Sequence, residues 1–188
     1  MPTNNLTRPV HKALRWFMCD VLVQTGSLDV TRREEVERTL NLVARLLGVL
    51  RAPAPGLRAA MAELLNAGTS ERGACAAALY RELAAFVGKE LLRLDTAEAD
   101  LLAAAGDGVA AALHRRRRLA LLNGAEVDEM IGWMADALSP QELSTLLEDL
   151  HAAASPALYA HGLAKLGRRL SAERWQRLDI PCPMGAAA

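Results

Sequence analysis

The chain has 188 residues, with 22 Lys and Arg against 22 Asp and Glu. A net charge of zero excludes the strongly basic footprint of a nucleic-acid binder. Ala and Leu, both strong helix formers, number 36 and 33, whereas Val and Ile together number 12, so strands lack their favoured residues and an all-helical protein follows.

No uncharged apolar stretch approaches the roughly 20 residues of a membrane-spanning helix. Met1 to Pro9 is polar, without the apolar region of a signal peptide, so the expected location is the cytoplasm, with no membrane partner. Cys19, Cys75 and Cys182 are an odd number of thiols in no CxxC pair, which reads as idle or buried cysteine.

In chain order, the first helix is predicted from about Pro9, a residue suited to a first helical turn, to Thr25, with Gly26 ending it. His11, Leu14, Met18, Val21, Leu22 and Thr25 share one face. The second starts at Thr31, whose spacing from Glu34 matches a capping box, and carries Val36, Leu40, Val43, Leu47 and Leu50 before Pro53 and Pro55 stop it. A third spans Leu57 to Asn66. A fourth, capped by Thr69 or Ser70, is long enough to reach Ala105, and its seam is Leu79, Leu83, Phe86, Glu90, Arg93, Ala97 and Leu101.

Gly106-Asp107-Gly108 reads as a turn. A fifth helix over Val109 to Leu122 carries Arg115 to Arg118, which face different ways because successive helical residues turn by about 100°. These arginines are expected to pair with acids such as Glu126, Asp128 and Glu129. Short helices follow: Ala125 to Leu138, one opened by the capping box Ser139-Pro140-Gln141-Glu142, one from Ser155-Pro156, and a last turn or two from Ser171 to Leu178. The whole chain, 1–188, reads as a single domain: a core bundle over 9–105, a helical extension over 106–178 and a flexible tail over 179–188.

Three stretches carry a resemblance. Val10-His11-Lys12-Ala13-Leu14-Arg15-Trp16-Phe17-Met18-Cys19 with Leu22 to Asp29 resembles the opening of bacterial hemerythrin-like proteins. Leu79 to Leu91 is similar to the segment leading into that family's second metal motif. Ile131-Gly132-Trp133-Met134 with Leu138 to Glu142 is similar to the C-terminal extension of one bacterial branch. The resemblance implies an antiparallel four-helix bundle with a di-iron centre. Its ligands would be a His on the first helix and His-x-x-x-Glu motifs on later ones, a spacing that puts imidazole and carboxylate on one helix face.

The chain departs from that pattern at the ligands. His11 matches the first-helix histidine. Arg51 to Leu57, where the first His-x-x-x-Glu belongs, holds neither His nor Glu. The second motif should begin at Arg93, and its Glu position is Ala97. Only four histidines exist, His11, His114, His151 and His161, against the five of the family's usual site. No di-iron centre, and no other cofactor, is therefore expected.

Several readings of these residues stand side by side. His11 is a hydrogen-bonded core histidine, a relic ligand or an acid/base group. Glu90 and Arg93, three apart on a buried stripe, are an ion pair, or a site in which Arg93 replaces the metal's charge opposite Glu90, Asp95 or Glu98. Both are expected to be mostly buried and close to His11.

The leading expectation is a hemerythrin-like protein without its usual di-iron site. It would bind a small molecule in the former metal cavity, through His11, Trp16, Met18, Glu90 and Arg93, or bind a protein partner. The alternatives are a metal-independent enzyme with His11 and Glu90 as acid and base, or a rearranged mononuclear metal site drawn from His11, Glu90, Asp95, Glu98 and His114.

Overall fold

The computed structural model describes residues 7–103, 124–153 and 155–178. Among these the chain is all-helical, without strands. The helices are α1 (Thr7–Gly26), α2 (Arg33–Leu50), α3 (Pro55–Asn66), α4 (Arg72–Ala103), α5 (Gly124–Ala137), α6 (Pro140–Ala153), α7 (Pro156–Arg169) and α8 (Ala172–Gln176). None is long and apolar enough to cross a membrane. The helix expected over Val109 to Leu122, the Arg115–Arg118 run, the turn at Gly106 and the tail beyond Leu178 lie outside the described residues.

The chain divides into two compact units. Phe17–Ala97 form one. The stretch through Trp16 and the chain from Glu98 onward form the other. The early turns of α1 group with the C-terminal helices, an assignment that fits the ion pair joining Lys12 to Glu142.

Within the unit of Phe17–Ala97 the core is apolar and regular. Phe17, Met18 and Val21 of α1, Val36, Leu40, Val43, Leu46 and Leu47 of α2, and Leu57, Ala60 and Leu64 of α3 are buried. In α4 the buried face is Leu79, Leu83, Val87, Glu90 and Leu94. This corrects the expected seam. Spacings of three and four place Val87 and Leu94 inward, so Phe86 and Ala97 are half-buried and Arg93 turns outward.

Four helix ends differ in detail from expectation. Thr31 does not cap α2. Its hydroxyl and its backbone N–H both donate to Asp29 Oδ1, at 2.6 and 2.9 Å, forming a local Asx turn. Arg32 holds the N-cap position without a side-chain hydrogen bond, and Glu34 is exposed. A carboxylate two residues upstream offers Thr31 a charged acceptor, the stronger kind, and these bonds hold the Asp29 carboxyl below its usual range.

At the other end of α2, Arg51 adopts the left-handed conformation, φ 48° and ψ 33°, and its N–H donates to Gly48 O. Gly26, by contrast, is the last helical residue of α1 and has no positive φ. A Cβ there would lie 2.9 Å from Cε2 of Tyr80, so close approach of a ring, rather than backbone freedom, accounts for this glycine. Finally, α4 opens at Arg72 rather than at Thr69 or Ser70.

The second unit has its own core from α5 to α8: Ala135, Leu138, Leu143, Leu146, Leu147, Leu163, Leu166, Leu170, Trp175 and Leu178. Two caps define its turns. Glu142 N–H donates to Ser139 Oγ at 3.3 Å while Ser139 N–H donates to Glu142 Oε2 at 2.8 Å, the reciprocal capping box expected from the sequence. Ser171 Oγ accepts from Arg174 N–H and starts α8. Ser144 Oγ donates to Leu178 O at 3.0 Å, tying the end of this region to α6.

Candidate functional site

His11 is a polar side chain on the apolar face of α1. Ala13 and Leu14 beside it are buried, and the His11 side chain is 1% exposed. Its Nδ1 stands 3.9 Å from Oε2 of Glu98, inside ion-pair range but longer than a hydrogen bond.

Glu98 also gathers two arginines from the same helix. Arg15 Nη2 donates to Oε2 at 2.9 Å, and Arg8 Nε lies 3.9 Å from Oε1. Positions 8, 11 and 15 follow the three-and-four spacing of one helix face, so α1 presents two guanidiniums and an imidazole to a single carboxylate. Glu98 is 24% exposed, His11 is enclosed, and Arg8 is 77% exposed. The cluster therefore grades from a buried imidazole to a solvated rim.

One position along α1, Lys12 Nζ donates to both carboxylate oxygens of Glu142, at 2.6 and 2.9 Å. Glu142 also accepts from Ser139 N–H in the capping box. The Lys12 ammonium and the Ser139 backbone donor together pull the Glu142 carboxyl from its ordinary 4.5 to about 2.

The expected partners of Arg93 are only partly in place. Its Nε donates to Glu90 Oε2 at 2.7 Å, and Glu90 is buried as expected. Arg93 is not: its side chain is 51% exposed, because it sits off the centre of the buried face of α4. The pair is thus a carboxylate at the edge of the core, reached from solvent by an arginine one turn away. Of the other proposed binding residues, Met18 is fully buried and Trp16 half-buried, and Asp95 is exposed.

Among the described residues, no three His, Cys, Asp or Glu side chains converge in a way that could hold a metal ion. His114, one of the weaker metal candidates, lies outside the described residues. A second charged ladder joins α5 and α7. Asp128 accepts from Lys165 and pairs with His161 Nε2 at 2.8 Å, while Arg169 Nη2 donates to Asp136 Oδ2 at 2.6 Å. The Lys165 and His161 bonds hold the Asp128 carboxyl below its ordinary value. The described partners of Asp128 are therefore on α7, whereas the sequence suggested the arginine run.

The chain matches no family model, no curated protein and no solved structure.

Sequence reasoning singled out His11 and Glu98 but missed Arg8 and Arg15. Their signal was present, since 8, 11 and 15 lie on one helical stripe. The missing information was that Glu98, 83 residues away from Arg15, would face that stripe.

Proposed function

We propose that this chain is a hemerythrin-like helical bundle that has lost the usual di-iron centre and acts as a small-molecule-binding protein. One observation supports this reading above the others. His11, at the position of the first-helix ligand, shares its carboxylate neighbour with an arginine that donates to it at 2.9 Å. A guanidinium is a permanent cation with a planar fork matched to carboxylate. Placed there, it takes the carboxylate oxygen that a metal would need and supplies positive charge without a metal.

The same grouping is suited to recognition. An enclosed imidazole, a partly solvated carboxylate and guanidiniums at the rim are the kind of convergent polar groups by which binding sites fix a ligand's orientation. Elemental analysis of the protein after dialysis is the first test, with native mass spectrometry of the gently purified protein as the second. The expected result is no stoichiometric iron pair and a non-covalent small-molecule adduct that is lost on denaturation. Two irons per chain retained through dialysis would overturn the reading.

A further inference from the structure

We propose that the outward face of α4 binds a second copy of this chain, the two α4 helices crossing antiparallel at Gly88. This contact is independent of any ligand, and its residues lie within the unit of Phe17–Ala97.

The face is a continuous stripe. Arg81, Ala85, Gly88, Leu92 and Asp95 follow one another at steps of four, three, four and three residues. That alternation keeps residues on one side of a helix and forms the seam of paired helices. All five are exposed. Leu92, at 69%, is the most exposed large apolar side chain among the described residues. A single leucine in water is ordinary, but this one stands one turn from a glycine inside a 32-residue helix. Glycine destabilises a helix interior relative to alanine. Packing within the chain does not require it here, because a Cβ at Gly88 would meet no atom of the described residues within 4 Å. A bare stretch of backbone beside a projecting leucine lets two helices approach closely.

The stripe is complementary to itself, as a two-fold contact demands, and this favours a second copy over another protein. Arg81 and Asp95 lie seven residues on either side of Gly88. In an antiparallel pair centred on Gly88, Arg81 therefore faces the partner's Asp95, and Leu92 falls beside the partner's Ala85. A parallel pair would set Arg81 against the partner's Arg81, so charge selects the antiparallel arrangement. Asp95 also has an interaction within its own chain, and a carboxylate has acceptor sites for both. The stripe is far smaller than the roughly 20–30 residues a side of a stable interface, so the dimer is weak and depends on concentration.

The test is sedimentation equilibrium of the full-length protein from about 10 μM to about 1 mM, the range in which a weak interface titrates. A reversible monomer–dimer equilibrium is expected. Leu92→Gln and, separately, Gly88→Arg should each weaken it by about tenfold or more, with unchanged helix content by circular dichroism. Arg81→Glu sets like charges against each other and should weaken it several-fold, by less in high salt. In a chain carrying Cys19→Ser, Cys75→Ser and Cys182→Ser, the further change Gly88→Cys should give disulfide-linked dimers on oxidation, because the crossing brings the two copies of this position within bridging distance.

A chain that stays monomeric throughout the range overturns the proposal and leaves the stripe to a different protein. A dimer that Leu92→Gln or Gly88→Arg leaves unchanged overturns it too, since the contact then lies elsewhere. Failure of Gly88→Cys to cross-link overturns the antiparallel crossing.

Discussion

Replacing Glu142→Gln isolates a charge that the fold uses twice. The carboxylate closes the capping box with Ser139 and binds Lys12 of α1. Glutamine keeps an acceptor for the Ser139 N–H but loses the charge facing Lys12. Taken at face value, a carboxyl drawn from 4.5 to about 2 corresponds to about 3 kcal/mol of stability at neutral pH. The side chain is 42% exposed, however, and solvent screening of such pairs leaves about 1 kcal/mol.

The sign is fixed by linkage. A carboxyl whose folded value is lowered contributes its full stability above the unfolded value, and that contribution fades as pH falls toward the folded one. The difference between wild type and Glu142→Gln should therefore be complete at pH 7, begin to shrink below about 4.5 and vanish near 2. Thermal melts followed by circular dichroism at pH 7, 4 and 2.5 would read it as a loss of about 2–4 °C at pH 7. Equal melting at pH 7, or a difference that persists undiminished at pH 2.5, would refute the argument.

Further outcomes follow from other sites. Glu90→Leu should be close to neutral, because Arg93 is already 51% exposed and can rehydrate, whereas Arg93→Met should cost about 2–3 kcal/mol in urea melts by leaving Glu90 buried without its arginine. A larger loss from Glu90→Leu than from Arg93→Met would reverse that assignment. Arg51→Gly should raise stability by up to about 1 kcal/mol, since glycine adopts the left-handed conformation without the Cβ clash; a fall in the urea midpoint would show that the Arg51 side chain contributes more than its backbone costs. Leu147→Ala, in the core of the α5–α8 unit, should cost about 2–5 kcal/mol, measured as earlier loss of amide protection in α6 and α7.

Local features of the fold were legible in the sequence where both partners lie within a turn of each other and no nearer group competes. The Ser139–Glu142 box is three residues long, and it forms as read. The same pattern at Thr31 and Glu34 failed because Asp29, two residues before, captured the threonine first. Period counting found the buried face of α2, but it drifted on α4, where Phe86 and Arg93 were read as inward in place of Val87 and Leu94. A four-residue step and a three-residue step differ by about 100° of rotation, and apolar residues on both sides of the stripe left the phase open.

The candidate site was legible only by halves. The basic stripe of α1 can be counted from the sequence, and Glu98 can be noted as acidic. Their meeting depends on packing between positions 83 residues apart, and the Lys12–Glu142 pair on positions 130 apart. Charge pattern on a single helix carries no information about such distant partners.

The ladder between α5 and α7 has a consequence of its own. Its acids, Asp128 and Asp136, are eight residues apart, while its bases, His161, Lys165 and Arg169, recur every four. The base spacing divides the acid spacing, so registers one turn apart differ only where the row of bases ends. If α7 slid by one turn, about 5.4 Å, so that Lys165 and Arg169 came opposite Asp128, Asp136 would run past Arg169, the last residue of α7. A slide the other way would keep Lys165 for Asp136 but leave Asp128 with His161 alone, a partner that is cationic only when protonated. The two aspartates thereby add a preference for the observed register to the one set by the packed leucine core.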